Sequence, residues 1–181
     1  MRFIKTPSIL FFLFIFFSCT ENLNFDDTEL NIGAVHTSPL VFFTLDQNDF
    51  FDRVNDVEII NVEVVIGDFT LLQSEGVADN LIRIDFDLKI RNEFTRTITS
   101  TVNFLDENDN VVQVVAPFII PAGDLNYRHR IVQTITPVSP LLRAKRIRVA
   151  LRIDTSSGSP IRPDDPRIFD LKSTGTYYFE I

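Results

Sequence analysis

The chain of 181 residues carries 17 basic and 25 acidic side chains, a formal net charge of −8 at neutral pH. A negative balance of this size repels polyanions, so the sequence argues against nucleic-acid binding. Apolar residues make up 45% of the chain, which is enough to build a folded core in a domain of this length.

The first eighteen residues have the organisation of an export signal. A basic start with Arg2 and Lys5 precedes an apolar run from Ile9 to Phe17, in the order expected for a signal peptide. Nine residues in a helix rise only about 14 Å, well short of the roughly 30 Å hydrocarbon core of a bilayer. We therefore predict that residues 1–18 are a signal peptide.

Cys19 is the only cysteine and follows this segment directly. Phe16-Phe17-Ser18-Cys19 resembles the lipobox of bacterial lipoproteins, and a phenylalanine-rich core ending in Ser-Cys is similar to lipoprotein signals of Bacteroidota. The resemblance implies acylation of Cys19, for example by palmitate, and attachment to the cell envelope at the outer membrane. Either face of that membrane fits the sequence. The alternatives are an ordinary secretory signal with an incidental cysteine and an uncleaved anchor.

Residues 19–32 are predicted to be the acylated cysteine and a flexible tether, because they are mostly polar and acidic. Residues 33–181 are predicted to form a single β-sandwich domain. A lone cysteine excludes an internal disulfide. After removal of the signal, 15 basic and 25 acidic side chains remain, a net charge of −10.

The charges are segregated along the chain. Thirteen acidic residues and one basic residue lie between Thr20 and Asp79, whereas fourteen basic and twelve acidic residues follow from Asn80 onward. The later half could form a basic patch for an anionic ligand. Alternatively, early acidic strands lie beside later basic strands in one sheet, and opposite charges across strands are stabilising. We favour the second interpretation.

The first part of the domain combines a strand with an aromatic cluster. Leu40–Leu45 has the pattern of a short buried strand, and Asp46 is placed to cap one helical turn that presents Phe50 and Phe51 to the core. The stretch 57–72 is rich in Ile and Val and is broken near Gly67, which predicts two strands or one bent strand.

Leu81–Arg91 is the clearest strand. Its apolar residues alternate strictly with charged ones, which predicts one buried and one solvated face. The apolar face comprises Ile82, Ile84, Phe86, Leu88 and Ile90, and the other comprises Arg83, Asp85, Asp87, Lys89 and Arg91.

The remaining chain predicts further strands joined by turns. Strands are expected at 94–105, 111–120, 127–135, 145–153 and 171–181, with a polar turn at Asp106–Asn110, a helical turn at Leu141–Ala144 and a long loop at 154–170. We predict an all-β protein, an antiparallel two-sheet sandwich of about seven to nine strands. Leu81–Asn92 followed by Val102–Val112 resembles a hairpin of small immunoglobulin-like domains, which are mostly binding or structural modules.

The sequence predicts no metal, cofactor or catalytic site. His36 and His129 have no metal-ligand spacing around them. Asp106, Asn108 and Asn110 match the opening of a calcium loop, but Val111 stands where that loop needs glycine, so a hairpin turn is expected.

One pair of carboxylates has the spacing of a catalytic pair. Asp85 and Asp87 lie about 7 Å apart on one strand face, close to the separation of glycosidase carboxylates. Because Arg83 and Lys89 flank them, we expect a salt-bridged face instead.

An outward basic stripe is the most specific candidate site in the domain. It comprises Arg146, Arg148 and Arg152, extended by Arg128 and Arg130. We take it as a hypothetical docking surface for an envelope protein or an anionic glycan. Pairing with Asp85 and Asp87 across the sheet is the structural alternative.

These observations favour a non-enzymatic, lipid-anchored module of the cell envelope that acts as an accessory, scaffold or binding protein. A hydrolase acting on envelope glycans is the first alternative, although the chain has no Trp to stack on sugars. A small-ligand carrier that uses the space between the sheets is the second.

Overall fold

The computed structural model describes residues 33–67, 72 and 76–180. Cys19, the predicted signal peptide and the predicted tether lie outside the described residues. The described residues contain eleven strands. They are β1 (Ala34–Leu45), β2 (Phe51–Asp52), β3 (Val57–Glu58), β4 (Asn61–Ile66), β5 (Leu81–Asn92), β6 (Ile98–Leu105), β7 (Val111–Val114), β8 (Phe118–Ile120), β9 (Tyr127–Thr134), β10 (Arg146–Ile153) and β11 (Phe169–Phe179).

The strands form two main antiparallel sheets, which confirms the predicted all-β sandwich. The first sheet has the order β1-β11-β5-β9, and the second has the order β4-β10-β6 with both β7 and β8 paired to β6. Helical structure among the described residues comprises the short turns Val77–Asn80 and Pro140–Arg143 and the single residue Leu72. None of the described helices is long and apolar enough to cross a bilayer.

The strand count exceeds the predicted seven to nine for two local reasons. β2 and β3 form a separate two-residue ladder, which is too short to give an alternating sequence pattern. The predicted strand at 111–120 is divided at Pro117 into β7 and β8, since proline has no N–H for the ladder.

The core lies between the inner faces of the two sheets. Phe86 on β5 packs against Phe104 on β6 with ring centroids 5.3 Å apart. Phe50, at the end of the turn after Asp46, is fully buried and meets Phe94 edge to face at 5.3 Å. Phe51 is only half buried, so the predicted inward placement holds for Phe50 alone.

In β5, four of the five residues of the predicted apolar face lie in the core. Ile84, Phe86, Leu88 and Ile90 are buried, whereas Ile82 is exposed. The register with β11 shifts between Tyr178 and Phe179, opposite this end of β5, and such an irregularity turns one side chain out of the alternation.

The long loop after β10 is fixed by a buried ion pair. The guanidinium of Arg96 donates two hydrogen bonds to the carboxylate of Glu58, at 3.1 and 2.8 Å. It also donates to the backbone carbonyls of Thr155 and Gly158, at 2.7 and 3.2 Å. Arg96 therefore joins β3 to the loop from a position that sequence reasoning had placed inside a strand.

Candidate functional site

The five arginines of the predicted basic stripe lie in two different sheets. Arg146, Arg148 and Arg152 are on β10 of the second sheet, whereas Arg128 and Arg130 are on β9 of the first. The outer faces of the two layers of a sandwich point in opposite directions, so the structure does not bring the two groups together.

Two of the β10 arginines are neutralised by nearby carboxylates. Arg146 lies 3.0 Å from Asp109 and also donates to the backbone carbonyl of Glu107. Arg148 lies 3.7 Å from Glu63 on the neighbouring strand β4. Arg152 has no carboxylate within ion-pair distance among the described residues. The early strand β4 thus supplies a carboxylate to the later, basic strand β10. This is the arrangement we favoured from the segregation of charges along the chain.

Arg130 belongs to a compact ionic cluster around Asp85. The carboxylate of Asp85 is fully buried and accepts two hydrogen bonds from Arg83, each 2.7 Å long. It also accepts from Arg130 and from the Tyr178 hydroxyl. Arg130 lies 3.7 Å from Asp87 as well. Of the two flanking cations expected to pair, Arg83 does so and Lys89 does not, and Arg130 from β9 supplies the other ion pairs. Asp85 is enclosed by these partners rather than solvated.

This environment makes Asp85 unsuited to acid catalysis. The hydrogen bond from Arg83, reinforced by Arg130, lowers the pKa of the Asp85 carboxyl despite its burial. A glycosidase general acid needs the opposite, a raised pKa that keeps its proton near neutral pH. Asp85 is therefore an ion-pair partner that stabilises the outer face of the first sheet.

A different group of cations lies on the same face, beginning at Lys89, two residues beyond Asp87 on β5. Lys172 on β11 is opposite Lys89 on β5, and Lys89 is opposite Arg128 on β9. All three side chains are exposed. We call Lys172, Lys89 and Arg128 the cationic row. Side chains directly opposite across antiparallel strands are about 5 Å apart at Cβ, and like charges there are destabilising.

The cationic row is scarcely compensated. Among the described residues, neither Lys89 nor Arg128 has a carboxylate within ion-pair distance, and Lys172 has only Asp170 at 3.5 Å. The row borders an open depression of about 250 Å³. Its lining consists of Lys89, Ile90, Arg91, Leu125, Asn126, Tyr127, Arg128, Asp170 and Lys172.

An exposed aromatic ring extends the row onto the fourth strand of the sheet. Phe42 on β1 is opposite Lys172 and is 66% exposed. The Lys172 ammonium lies 5.2 Å from the centre of its ring, within the range of a cation–π contact. The outer face of the first sheet thus presents one aromatic and three cationic side chains in a line across all four strands.

The other sequence candidates have structural roles. The Asp106 side chain accepts hydrogen bonds from the backbone N–H groups of Asn108 and Asn110, which confirms the hairpin turn. His129 stacks on Phe118 with ring centroids 4.1 Å apart, and burial lowers its pKa. His36 on β1 lies near Tyr177. Among the described residues, no three His, Cys, Asp or Glu side chains are close enough together to hold a metal.

Sequence reasoning did not group the three cations of the row, because their alignment depends on strand register. Alternation correctly placed Lys89 outward, and Arg128 was a predicted site residue. Lys172 carried no signal, since β11 becomes the neighbour of β5 only in the folded sheet. The outward direction of Phe42 was hidden within a wholly apolar run.

Comparisons with known proteins assign no family. No family model matches the chain, and no curated protein matches it. A protein of Parabacteroides distasonis ATCC 8503, described as secreted, is 15% identical over 65% of this chain and 37% of its own, with a TM-score of 0.45.

Two further solved structures are similar at the same low level. The infectious bursal disease virus Gt strain structure is 10% identical, covering 82% of this chain and 32% of that one, with a TM-score of 0.43. The enzymatically active domain of tailspike protein 4 from bacteriophage CBA120 is 15% identical, covering 82% and 19%, with a TM-score of 0.35. The chain therefore matches a third or less of the length of these two structures.

Proposed function

We propose that the chain is a lipid-anchored β-sandwich module of the cell envelope that binds an anionic partner and performs no catalysis. The signal-like residues 1–18 and the position of Cys19 support export and acylation. The outer membrane is the proposed site of attachment. The partner is an envelope protein or glycan and not a nucleic acid, in keeping with the negative charge of the whole chain.

The cationic row carries the binding proposal. Placing Lys172, Lys89 and Arg128 directly opposite one another works against sheet stability. An anion in the adjoining depression would relieve this repulsion and would gain charge-assisted hydrogen bonds. The repulsion between the three cations is therefore lower when an anion is bound than in the free protein.

Two observations favour this proposal over a glycan hydrolase and over a carrier of small ligands. A glycan hydrolase requires a carboxyl group that holds its proton, and the pKa of Asp85 is shifted in the other direction. A carrier of small ligands requires an internal cavity. The apolar cavity between Leu88, Val102 and Ile131 measures about 20 Å³, which is room for a single water molecule rather than a ligand.

The anchor is tested by mass analysis of the mature N-terminus after expression in a bacterium with an outer membrane. We expect an acylated Cys19 in the wild type and release from the membrane fraction in Cys19→Ala. An unmodified terminus at any other residue would contradict the lipoprotein proposal.

Binding is tested with defined soluble polyanions added to the detergent-solubilised full chain. Polyglutamate and polygalacturonate are titrated against wild type, Lys89→Gln/Lys172→Gln and the matched control Arg146→Gln/Arg148→Gln. We expect the first pair to weaken binding about tenfold or more, because each lost charge-assisted contact contributes about 1.5–3 kcal/mol before solvent screening. The control pair removes two cations from the other sheet and should leave the affinity unchanged.

The proposal fails if the wild type binds neither polymer at low salt. It fails equally if both double variants weaken binding to the same degree, since the effect would then reflect net charge and not the cationic row.

A further inference from the structure

We infer that the anionic partner is an extended acidic glycan that crosses the first sheet from Arg128 to Phe42. This inference rests on the proposed function and specifies its ligand. It is carried by four features of one surface: the direction of the cationic row, the paired backbone beneath it, a hydroxyl acceptor beside it and an exposed ring at its end.

The cationic row runs perpendicular to the strands. Lys172, Lys89 and Arg128 belong to three adjacent strands, so their backbones follow one another at the strand spacing of roughly 4.8 Å. This spacing is comparable with the length of one sugar residue in an extended polysaccharide. A chain with a carboxylate on each residue can therefore present successive charges to successive cations.

The backbone beneath the row is unsuited to an acidic peptide. Peptides bind to sheets mainly by adding a strand at a free edge, where their main chain finds unpaired N–H and C=O groups. Lys89 and Lys172 lie on β5 and β11, and each of these strands is paired on both sides. Arg128 and Phe42 lie on the edge strands β9 and β1, but a ligand that follows the row crosses the face of the sheet and does not run along those edges. It is therefore recognised by side chains, which suits a ligand without a peptide backbone.

Asp170 can accept a hydrogen bond from a hydroxyl group of the ligand, which a ligand with only anionic groups cannot donate. Its carboxylate lines the depression beside the cationic row and accepts a hydrogen bond from the Thr44 hydroxyl at 3.1 Å. A carboxylate repels a ligand made only of negative groups, but it accepts hydrogen bonds from hydroxyl groups. A glycan carrying both carboxylates and hydroxyls complements the cations and Asp170 together.

Phe42 provides an apolar platform at the β1 end of the row. Its ring is largely exposed and is held beside Lys172 by the cation–π contact. The C–H face of a sugar ring packs on such an aromatic surface, while its carboxylate remains within reach of the Lys172 ammonium. One residue of an acidic glycan can therefore engage both side chains.

The test compares polymers by titration calorimetry of the detergent-solubilised full chain. The probes are polygalacturonate, its fully methyl-esterified form, polyglutamate of equal charge and vesicles containing phosphatidylglycerol. We expect polygalacturonate to bind about tenfold more tightly than polyglutamate, and esterification to abolish binding by removing the carboxylates. The vesicles should not bind measurably through this face.

Variants separate recognition of the sugar from attraction of charge. Phe42→Ala should weaken polygalacturonate binding about fivefold, as expected for loss of one stacking contact, and leave polyglutamate binding unchanged. Ile119→Ala is the matched control, because Ile119 is equally exposed, at 63%, but lies on the second sheet. Asp170→Asn should reduce the preference for polygalacturonate over polyglutamate, expressed as the ratio of the two binding constants.

Equal affinity for polygalacturonate and polyglutamate, with both dependent on the cationic row, would overturn the glycan inference and leave the anion-binding function standing. Tighter binding to the vesicles than to either polymer would also overturn it. Absence of all binding would refute the inference and the proposed function together.

Discussion

Removal of a cation from the cationic row should stabilise the domain. Lys89 lies between Lys172 and Arg128, so Lys89→Gln eliminates two like-charge neighbour pairs. Each such pair costs roughly 0.2–1 kcal/mol, which gives a gain of about 1 kcal/mol for the variant at low ionic strength. For a domain of about 150 residues this corresponds to an increase in Tm of about 2–4 °C.

The assay is thermal unfolding of the full chain followed by circular dichroism at low salt and in 1 M NaCl. The gain should shrink in concentrated salt, where the Debye length falls to about 3 Å. Arg130→Gln is the matched control, since it removes an exposed cation from the neighbouring strand that contacts Asp85. That variant should lower Tm, the opposite sign. A lower Tm for Lys89→Gln at low salt, or a gain that is unaffected by salt, would refute the repulsion argument.

Three further predictions concern the ion pairs and tight turns of the domain. Asp85→Asn should lower the free energy of unfolding by about 2 kcal/mol, measured with urea at neutral pH. Because the pKa of Asp85 is lowered in the folded state, this difference between wild type and variant should be complete above about pH 5. It should be lost as the pH falls below about 4 and through the folded-state pKa. Arg96→Met leaves the carboxylate of Glu58 buried without its cation and should cost about 3–5 kcal/mol, with faster proteolysis of the loop after β10. Gly158→Ala would place a Cβ 1.7 Å from a backbone carbonyl oxygen and should lower the free energy of unfolding by about 3 kcal/mol or more in the same urea assay. Gly123 also has a positive φ, but its Cβ would meet open space. Gly123→Ala should therefore cost only about 1–2 kcal/mol.

Local patterns were sufficient to predict the class of fold. Alternation identified β5 and β10 because each has one buried and one outward face over at least eight residues. The same signal failed for β2, which is two residues long, and it did not separate β3 from β4 within the predicted stretch 57–72. It also placed the start of β6 at Phe94 rather than Ile98. The Asn92 side chain accepts a hydrogen bond from the Phe94 N–H and directs the chain through a turn there. The strand propensity of residues 94–97 does not reveal this side-chain hydrogen bond, so it does not predict where the strand begins.

The candidate site depended on information that single strands do not contain. Alternation assigned Asp85 and Lys89 to the same solvated face of β5. In the folded sheet, Arg83, Arg130 and Tyr178 enclose Asp85, whereas the two residues directly opposite Lys89 are both cations. Arg83 is a neighbour on β5 itself, but the other partners come from β9 and β11, and both of those strands lie far from β5 in the sequence.

The distribution of acidic partners gives the cationic row its significance. The domain has an excess of carboxylates, and several of them neutralise arginines on the outer faces of both sheets: Asp85 and Asp87 for Arg130, Glu63 for Arg148 and Asp109 for Arg146. Arg152 also lacks an ion pair among the described residues, but it stands opposite Asn61 and Thr99 and not opposite another cation. The cationic row differs because its three cations directly face one another and have, within the same part of the chain, only one weak ion pair. Solubility does not require it, since dispersed charges would serve as well. Because proteins give up local stability chiefly at sites that bind or react, the cost of the row is better explained by a ligand than by the fold.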